Sequence, residues 1–253
     1  NHIDMDTAYE FRATSDKDKA DGKTAEAKTF RTFASENVIN NLDLDDWYAD
    51  GNAYYPNASS SSDGWVWDTA NGGTATLGYY PTNPESNIVA VSGEGKKAAK
   101  MASVYASVKF AAGNIYTGKF ASINLGQMGA ELDWGVLFDS RPLALKGYYK
   151  YAPKAIDMVK DPYKDLKGQG DQCQIQILLT DWDDRFHINT SKKLFVDMEN
   201  DPGIIAHGSL ISADEDNGYV KFTIPLVYRN DRTPKYIVIV AAASRYGDYF
   251  TGG

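Results

Sequence analysis

The hydrophobic positions from residue 37 onward come in short runs that alternate with polar ones. The segment at 172–180, QCQIQILLT, places Cys173, Ile175 and Ile177 on one side of an extended chain and Gln174 and Gln176 on the other. Because side chains alternate between the two faces of a strand, this period of two predicts a β-strand. The segment YVKFTIPLVY at 219–228 shows the same alternation.

Six further segments have the composition of short strands, rich in β-branched and aromatic residues and bounded by Gly, Pro, Asn or Asp. They are ASVYASVKF, AELDWGVLF, LALKGYYKYA, KLFVDM, GIIAHGSLIS and KYIVIVAAAS. No long amphipathic helix separates them, which disfavours parallel βαβ units. The pattern over residues 37–253 therefore predicts an all-β fold, an antiparallel jelly-roll-like β-sandwich.

Residues 1–36 differ in composition from the rest of the chain, because they contain a charged stretch rich in Ala and Lys, SDKDKADGKTAEAK. No aromatic residue lies between Arg12 and Lys28. This composition predicts an irregular N-terminal segment, either a linker or the end of an upstream domain, with at most a marginal helix.

Charge and composition exclude several classes of function. The net charge of −8 disfavours a nucleic-acid partner, which would need a basic surface. No apolar run approaches the ~20 residues of a transmembrane helix. The single cysteine excludes an intramolecular disulfide, and three scattered histidines do not form a metal-binding motif. The chain begins NHIDMDTAYE, without a signal peptide and without an initiator Met, so its start does not indicate a compartment.

Four segments occur in an order that resembles one protein family. They are GWVWDTANGG at 64–73, FAAGNIYTGKF at 110–120, LKGYYKYAP at 145–153 and ASRYGDYFTGG at 243–253. Together they resemble the "putative carbohydrate-metabolism domain" of Bacteroidetes surface proteins over roughly Leu42 to Gly253. The resemblance implies a jelly-roll β-sandwich with a glycan-related role, secreted or held at the cell envelope, with other surface proteins as additional partners.

The candidate catalytic residues are Glu131 and Asp133 in AELDWGVLF. Two residues apart on a strand, their carboxylates project from the same face and can divide acid and nucleophile roles. The pattern resembles the Glu-x-Asp-x-x-Glu strand of laminarinase-type jelly-roll hydrolases, but the third carboxylate is missing. A solvent-facing acidic pair is the alternative interpretation.

The candidate glycan contacts are aromatic residues with polar neighbours, because a sugar ring has apolar C–H faces and hydroxyl groups that need directional partners. One cluster combines Trp65 and Trp67 with Asp68 and Asn71. The second pairs Tyr149 with Tyr151 on one face of a strand. The competing interpretation is that the Trp residues belong to the core and the Tyr residues cover a sheet edge.

The segment KFAAGNIYTGKF alternates bulky residues with Ala111, Ala112, Gly113 and Gly118. The small residues favour a turn and a close approach of another layer. A groove floor is the alternative, with Asn114 and Lys119 as its polar edge.

No cofactor is required by any motif in the sequence. Asp181 and Asp183 in TDWDDRFHIN supply carboxylate oxygens of the kind that bind calcium, but the segment lacks the Gly and Glu of an EF-hand loop. A calcium site there is compatible with the sequence, and a charged hairpin loop is the alternative.

Three hypotheses about function stay open at this point. The leading one is non-catalytic recognition of an oligo- or polysaccharide. The second is a glycoside hydrolase that uses Glu131 and Asp133, which is the expected class if the chain is an enzyme. The third is a structural or adhesin-like surface domain whose aromatic residues all lie in the core.

Overall fold

The structure is a computed structural model that describes residues 8–31, 38–60, 64–106, 109–124, 126 and 129–253. It divides into two compact units, Asn1–Val38 and Ile39–Gly253. Within the first unit, strand β1 (Ala8–Phe11) pairs with β2 (Lys28–Arg31) in antiparallel register, and the one-turn helix α1 (Asp16–Ala20) lies between them in the sequence. Ser15 caps this helix by accepting a hydrogen bond from the backbone N–H of Asp18.

The second unit contains short strands in its first half. These are β3 (Tyr48–Asp50), β4 (Ala53–Tyr55), β5 (Trp67–Thr69), β6 (Thr82–Glu85), β7 (Ala98–Met101), β8 (Val104–Ala106) and β9 (Lys109–Ala111). A helical turn, α2 (Asn71–Thr74), follows β5 and continues into a 3₁₀ turn at Ala75–Leu77. Strands β3–β4, β6–β7 and β8–β9 each form a two-stranded antiparallel hairpin.

The longer strands follow. They are β10 (Asn114–Asn124), β11 (Gly129–Trp134), β12 (Val136–Leu137), β13 (Ala144–Tyr149), β14 (Cys173–Thr180), β15 (Phe186–Asn189), β16 (Ile204–Ser212), β17 (Val220–Pro225), β18 (Val227–Tyr228) and β19 (Tyr236–Ala242). Two more 3₁₀ turns lie at Lys164–Leu166 and Gly247–Tyr249.

Most of these strands form one antiparallel sheet in the order β15-β11-β10-β19-β14-β16-β18. Strand β5 also pairs with β10, β12 also pairs with β19, and a separate ribbon is made of β13 and β17. The all-β antiparallel sandwich predicted from the sequence is therefore confirmed. No helix in the described part of the chain has the length and apolar character needed to cross a membrane.

The central strands β14 and β19 are buried on both faces of this sheet. Ile177 and Ile239 point into one hydrophobic cluster, which the β13–β17 ribbon covers with Ile224. Leu178 and Val238 point into a second cluster on the opposite face. The side chain of Leu178 is 0% exposed, as is that of Val238. The alternation expected from QCQIQILLT thus ends at Ile175, because every residue of β14 from Gln176 to Thr180 is buried.

Three predicted strands are modified in the structure. Strand β11 ends at Trp134, where Gly135 adopts a φ of +113°, and β12 begins afterwards. The segment ASVYASVKF is divided between β8 and β9, with residues 107–108 outside the described part. The prediction of a strand over KLFVDM is wrong: apart from one bridge at Leu194, the segment is a turn and an irregular stretch.

The bend of β10 depends on Gly118. This residue is buried, has a φ of +147°, and donates its N–H to the carbonyl of Val66 at 2.9 Å. A Cβ atom there would lie 2.2 Å from the carbonyl oxygen of Asp133 on the neighbouring strand. Only glycine permits both the backbone angle and the close approach.

We expect Gly118→Ala to lower the free energy of unfolding by about 2–4 kcal/mol, because it combines an unfavourable φ with a clash against backbone. Urea denaturation of the purified chain measures the change. Gly218→Ala is the matched control, since a Cβ at Gly218 meets nothing within 4 Å. Equal stability of the two variants would show that β10 relaxes without cost.

Candidate functional site

The largest cavity described is a groove of about 400 Å³ on the face of the sheet where the β13–β17 ribbon lies. Three tyrosines line it, Tyr149 at the end of β13, Tyr151 just beyond, and Tyr219 before β17. We call it the tyrosine groove. Its floor comes from the beginning of β14, Cys173–Ile175, and from Ala241–Ala243 at the end of β19. The predicted pair Tyr149 and Tyr151 therefore lies in one cavity.

Local contacts fix each tyrosine. The ring of Tyr149 packs against Phe222 on the paired strand, with 6.3 Å between ring centroids. The hydroxyl of Tyr219 donates to the carbonyl of Ile88 at 2.9 Å. The backbone N–H of Tyr151 donates to the carboxylate of Asp216 at 3.1 Å, and the N–H of Asp216 donates back to the Tyr151 carbonyl at 2.8 Å. Rings held in this way lose little conformational freedom when a ligand binds.

Burial keeps two weakly acidic side chains of the groove, Tyr151 and Cys173, in their protonated forms. Burial and the nearby Asp171 carboxylate raise the pKa of the Tyr151 phenol well above its usual range. Burial also raises the pKa of the Cys173 thiol to about 11. Both groups are therefore neutral at physiological pH, and Cys173 is a poor nucleophile, as expected for a buried thiol.

The charged side chains that line the groove are Lys100, Lys150, Lys154 and Glu85. Neither Lys150 nor Lys154 is ion-paired with a carboxylate in the described ranges. Three of the four charged side chains that line the groove are cationic, and the carboxylates of Asp171 and Asp216 lie behind it next to Tyr151 and Cys173. The side chains of Ser103 and Gln174 add neutral hydrogen-bonding groups.

The tryptophan cluster is not a ligand platform in the arrangement expected from the sequence. Trp67 is 2% exposed and donates its indole N–H to the carbonyl of Asn40 at 3.0 Å, so its ring is a core element. Asn71 is 0% exposed, and its amide binds the backbone of Tyr54 and Thr82. Trp65 is half-buried against the rings of Tyr48 and Tyr55. The two indoles lie in different surroundings, because β5 begins at Trp67 and Trp65 lies before the strand.

Asp68 has a structural position as well. It is 5% exposed, and its two carboxylate oxygens accept the backbone N–H groups of Thr69 and Phe120 at 2.8 Å each. This links β5 to the bent part of β10. Burial raises the pKa of Asp68 to about 6, and the hydrogen bonds offset only part of that rise.

The remaining candidate contacts lie elsewhere. Asn114, at the start of β10, lines a different cavity from the tyrosine groove. Lys119 is half-buried on β10 opposite Asp133 of β11. Ala111 and Ala112 line that other cavity, whereas Gly113 lies so close to the backbone of Ala102 that a Cβ would be 2.7 Å away. The small residues of KFAAGNIYTGKF thus serve both close packing and a pocket.

Glu131 and Asp133 project from the same face of β11, and His187 of β15 lies between them. The Nδ1 atom of His187 is 2.8 Å from Asp133 Oδ1, and its Nε2 atom is 3.6 Å from Glu131 Oε2. Asn189 donates to Glu131 Oε1 at 2.7 Å. None of these four residues lines a cavity described above. The carboxylates are already hydrogen-bonded to protein on a partly exposed sheet surface.

Asp181 and Asp183 do not converge on one point. Asp181 forms an ion pair with Arg232 at 2.6 Å, and Asp183 forms one with Lys235 at 3.0 Å. Each carboxylate is thus neutralised by a separate cation. Within the ranges that the structure describes, no group of three or more His, Cys, Asp or Glu side chains is arranged to hold a metal ion.

Sequence reasoning missed two residues of these sites. The sequence shows no motif around His187, and its place beside Asp133 depends on the pairing of β15 with β11. Tyr219 was assigned only to a strand, although it comes close to Ile88, which is 131 positions away in the chain. Pairing between distant strands has no local sequence signal, so neither contact could be inferred.

We expect the wild-type chain to gain stability relative to Asp68→Asn as the pH falls from 7.5 to 5. The folded pKa of Asp68, about 6, lies above the ordinary Asp value of 3.8, which applies to the unfolded chain. Between these two values the folded state holds a proton that the unfolded state has released, so lowering the pH favours folding. Over this pH range the gain is about 1.4 kcal/mol, because the folded state gains about one pKa unit of the shift at 1.36 kcal/mol per unit.

Urea denaturation of both proteins at pH 7.5, 6 and 5 measures the difference. Other acids titrate in both chains, so only the change in the difference between them reports on Asp68. A difference that stays constant over this range would show that the Asp68 carboxylate has a normal pKa.

Comparison with known proteins identifies the family of the chain and two crystal structures with a similar fold. Residues 36–253 match the family described as "Putative carbohydrate metabolism domain". No curated protein sequence is significantly similar to the chain. The crystal structure of a "putative glycoside hydrolase" from Bacteroides thetaiotaomicron is similar with a TM-score of 0.63 and 19% identity, over 98% of this chain and 74% of that one.

A second crystal structure, of a "putative glycoside hydrolase" from Bacteroides vulgatus, is similar with a TM-score of 0.58 and 17% identity. The similarity covers 82% of this chain and 89% of that one. At such identities the two structures establish a shared fold. The family match covers most of the sequence, including every strand of the sandwich, and the chain therefore belongs to the family of the "putative carbohydrate metabolism domain".

Proposed function

We propose that the chain binds an oligo- or polysaccharide in the tyrosine groove without cleaving it, and that its preferred ligands carry acidic groups such as uronates. The observation that carries this proposal is the convergence of Tyr149, Tyr151 and Tyr219 on one cavity. Membership of a carbohydrate-related family supports the choice of ligand. The proposed setting is secreted or at the cell envelope, with no cofactor required and with other surface proteins as additional partners.

The groove has the size and composition that a sugar needs. Its volume of about 400 Å³ is within the ~300–1,000 Å³ of ligand pockets. Tyrosine rings offer flat apolar faces to sugar C–H groups, and phenolic hydroxyls offer hydrogen bonds at the ring edge. Ser103, Gln174 and Glu85 supply further partners for sugar hydroxyls.

The acidic preference follows from charge. Lys150 and Lys154 are exposed and have no described carboxylate partner, so they are available to a ligand anion. A carboxylate on the glycan gains from both ammonium groups, and the gain is reduced by salt. A neutral glycan of the same shape has only the stacking and hydrogen-bonding contributions.

We expect the chain to be retained by acidic polysaccharides on a glycan array and to release no product from them. Replacing Tyr149 or Tyr219 by Ala should weaken binding about tenfold or more, because each substitution removes a stacking surface. Tyr148→Ala is the matched control, since Tyr148 is the neighbouring exposed tyrosine and does not line the groove.

The charge contribution is tested separately. Lys150→Gln combined with Lys154→Gln should weaken binding of the acidic glycan and flatten its dependence on salt, while binding of a neutral analogue changes little. Unchanged retention in both Tyr variants would contradict the groove as the site. If the double lysine variant loses the same affinity for acidic and for neutral glycans, the role of charge is contradicted, and the groove remains the site.

A second candidate function is glycoside hydrolysis at Glu131 and Asp133. It is favoured by the shared face of the two carboxylates, by the titratable His187 between them, and by the description of the two similar structures as "putative glycoside hydrolase". It is disfavoured by the hydrogen bonds that already engage both carboxylates and by the absence of a cavity at this surface among the described residues.

Release of reducing ends from the retained polysaccharides tests the hydrolase hypothesis. If the enzyme hypothesis holds, Glu131→Gln should lower the rate by at least about 100-fold, because it removes a general acid or a nucleophile while keeping the shape. Ser122→Ala removes only a hydroxyl that donates to Glu131 at 3.2 Å and should keep most of the rate. No release by the wild-type chain rejects hydrolysis of those polysaccharides, and absence of both binding and release favours a structural or adhesin-like role.

A further inference from the structure

A second cavity lies on the other face of the sheet. Two adjoining pockets, of about 140 and 40 Å³, share Ala112, Asn114, Tyr116, Leu132, Gly247 and Asp248 as lining residues. We call the combined space the inner pocket. It shares only Gln174 and Ala242 with the tyrosine groove, which is consistent with the opposite orientation of successive residues along β14 and β19.

Unpartnered polar atoms are concentrated at the inner pocket. In the ranges described, five buried side-chain polar atoms lack a hydrogen-bond partner, and three of them belong to Asn114, Tyr116 and Trp134, which all line the smaller pocket. Tyr116 is 1% exposed and Trp134 is 6% exposed. Leaving buried donors and acceptors unpaired is unfavourable, and such groups in folded proteins usually have a partner.

The three unpartnered atoms are chemically complementary to a hydroxyl group. The Tyr116 hydroxyl and the indole N–H of Trp134 are donors, and the Asn114 Oδ1 atom is an acceptor. A hydroxyl group can both accept a hydrogen bond, as the Tyr116 and Trp134 donors require, and donate one, as Asn114 Oδ1 requires. A ligand with only acceptor atoms would leave Asn114 Oδ1 without a partner, and a fully apolar ligand would leave all three unsatisfied.

The larger pocket is mostly apolar. Phe110, Phe120, Phe250, Leu77 and Leu132 form its walls. Its volume of about 140 Å³ is close to that of a ~150 Å³ apolar cavity that holds benzene. The space therefore fits a body the size of one aromatic ring.

A charged ligand is disfavoured at this position. Lys109, which lines the larger pocket, has a pKa lowered chiefly by burial. The same loss of hydration acts on any ion that enters.

We propose that the inner pocket is a second binding site, which takes a small neutral aromatic alcohol or phenol with its ring against the phenylalanines of the larger pocket and its hydroxyl hydrogen-bonded to Tyr116, which lines both pockets. This site is independent of the proposed glycan function. Its occupant is identified by chemistry alone, as a single ring with one uncharged hydroxyl.

The test is a ¹⁹F NMR titration of the full chain with three probes, 4-fluorophenol, fluorobenzene and 4-fluorobenzoate. We expect saturable binding of 4-fluorophenol, with fluorobenzene and 4-fluorobenzoate each at least about fivefold weaker, the size expected for one hydrogen bond lost or one charge desolvated. Absence of saturable 4-fluorophenol binding up to millimolar concentration overturns the proposal. Equal affinity for 4-fluorophenol and fluorobenzene overturns it as well.

Two variants assign the binding to this pocket. Tyr116→Phe keeps the ring and removes only the unpartnered hydroxyl, so the protein should stay folded and bind 4-fluorophenol at least about fivefold more weakly. Tyr148→Phe is the control on an exposed strand position and should bind as the wild type does. Ala111→Leu, which adds bulk at the pocket wall, should weaken both 4-fluorophenol and fluorobenzene.

Unchanged 4-fluorophenol affinity in a folded Tyr116→Phe protein overturns the assignment of the hydroxyl contact. Unchanged affinity in both Tyr116→Phe and Ala111→Leu overturns the site itself. If Tyr116→Phe does not fold, the comparison of the three probes on the wild type together with Ala111→Leu decides the question. Loss of glycan retention in the groove variants leaves all these outcomes unaffected.

Discussion

The structure depends on a central sheet that is buried on both of its faces. Leu178 and Val238 lie in one hydrophobic cluster, while their sequence neighbours Ile177 and Ile239 lie in another. Because water reaches neither face, backbone groups in these strands must pair with one another, which fixes β14 between β16 and β19. The ends of these strands, where burial is incomplete, are the places at which cavities open, and the tyrosine groove and the inner pocket both border them.

Polar side chains connect the periphery to this sheet. The Asp68 carboxylate binds the backbone of both β5 and β10, and the Asn71 amide binds the backbone of residues 54 and 82. Composition alone does not separate such residues from ligand contacts, because a buried amide that bridges backbone segments and an exposed amide that binds a sugar use the same hydrogen-bonding groups. Burial distinguishes the structural residues from the ligand contacts, and the burial of a side chain depends on the fold around it.

The fold could be predicted from the sequence more fully than the site. Segments such as 172–180 and 219–228 showed their alternation locally, and the family resemblance extended the prediction to the whole sandwich. KLFVDM has the composition of a strand, but its only described pairing is one bridge from Leu194 to Asn189. Among the site residues, the grouping of Tyr149 with Tyr151 followed from their spacing. The burial of Trp67 and the contact between His187 and Asp133 arose from strand pairing, which local sequence does not encode.

The position of the groove lysines affects the direction from which an anionic polymer approaches the protein. The chain as a whole is negative, whereas three lysines, Lys100, Lys150 and Lys154, line the groove. At physiological ionic strength fields reach only about 8 Å, so an anionic polymer beyond that distance feels little of either sign. Within that distance it is repelled by most of the surface and attracted at the groove, so encounters in other orientations separate again. The same lysines that hold an acidic ligand would also select the direction from which it arrives.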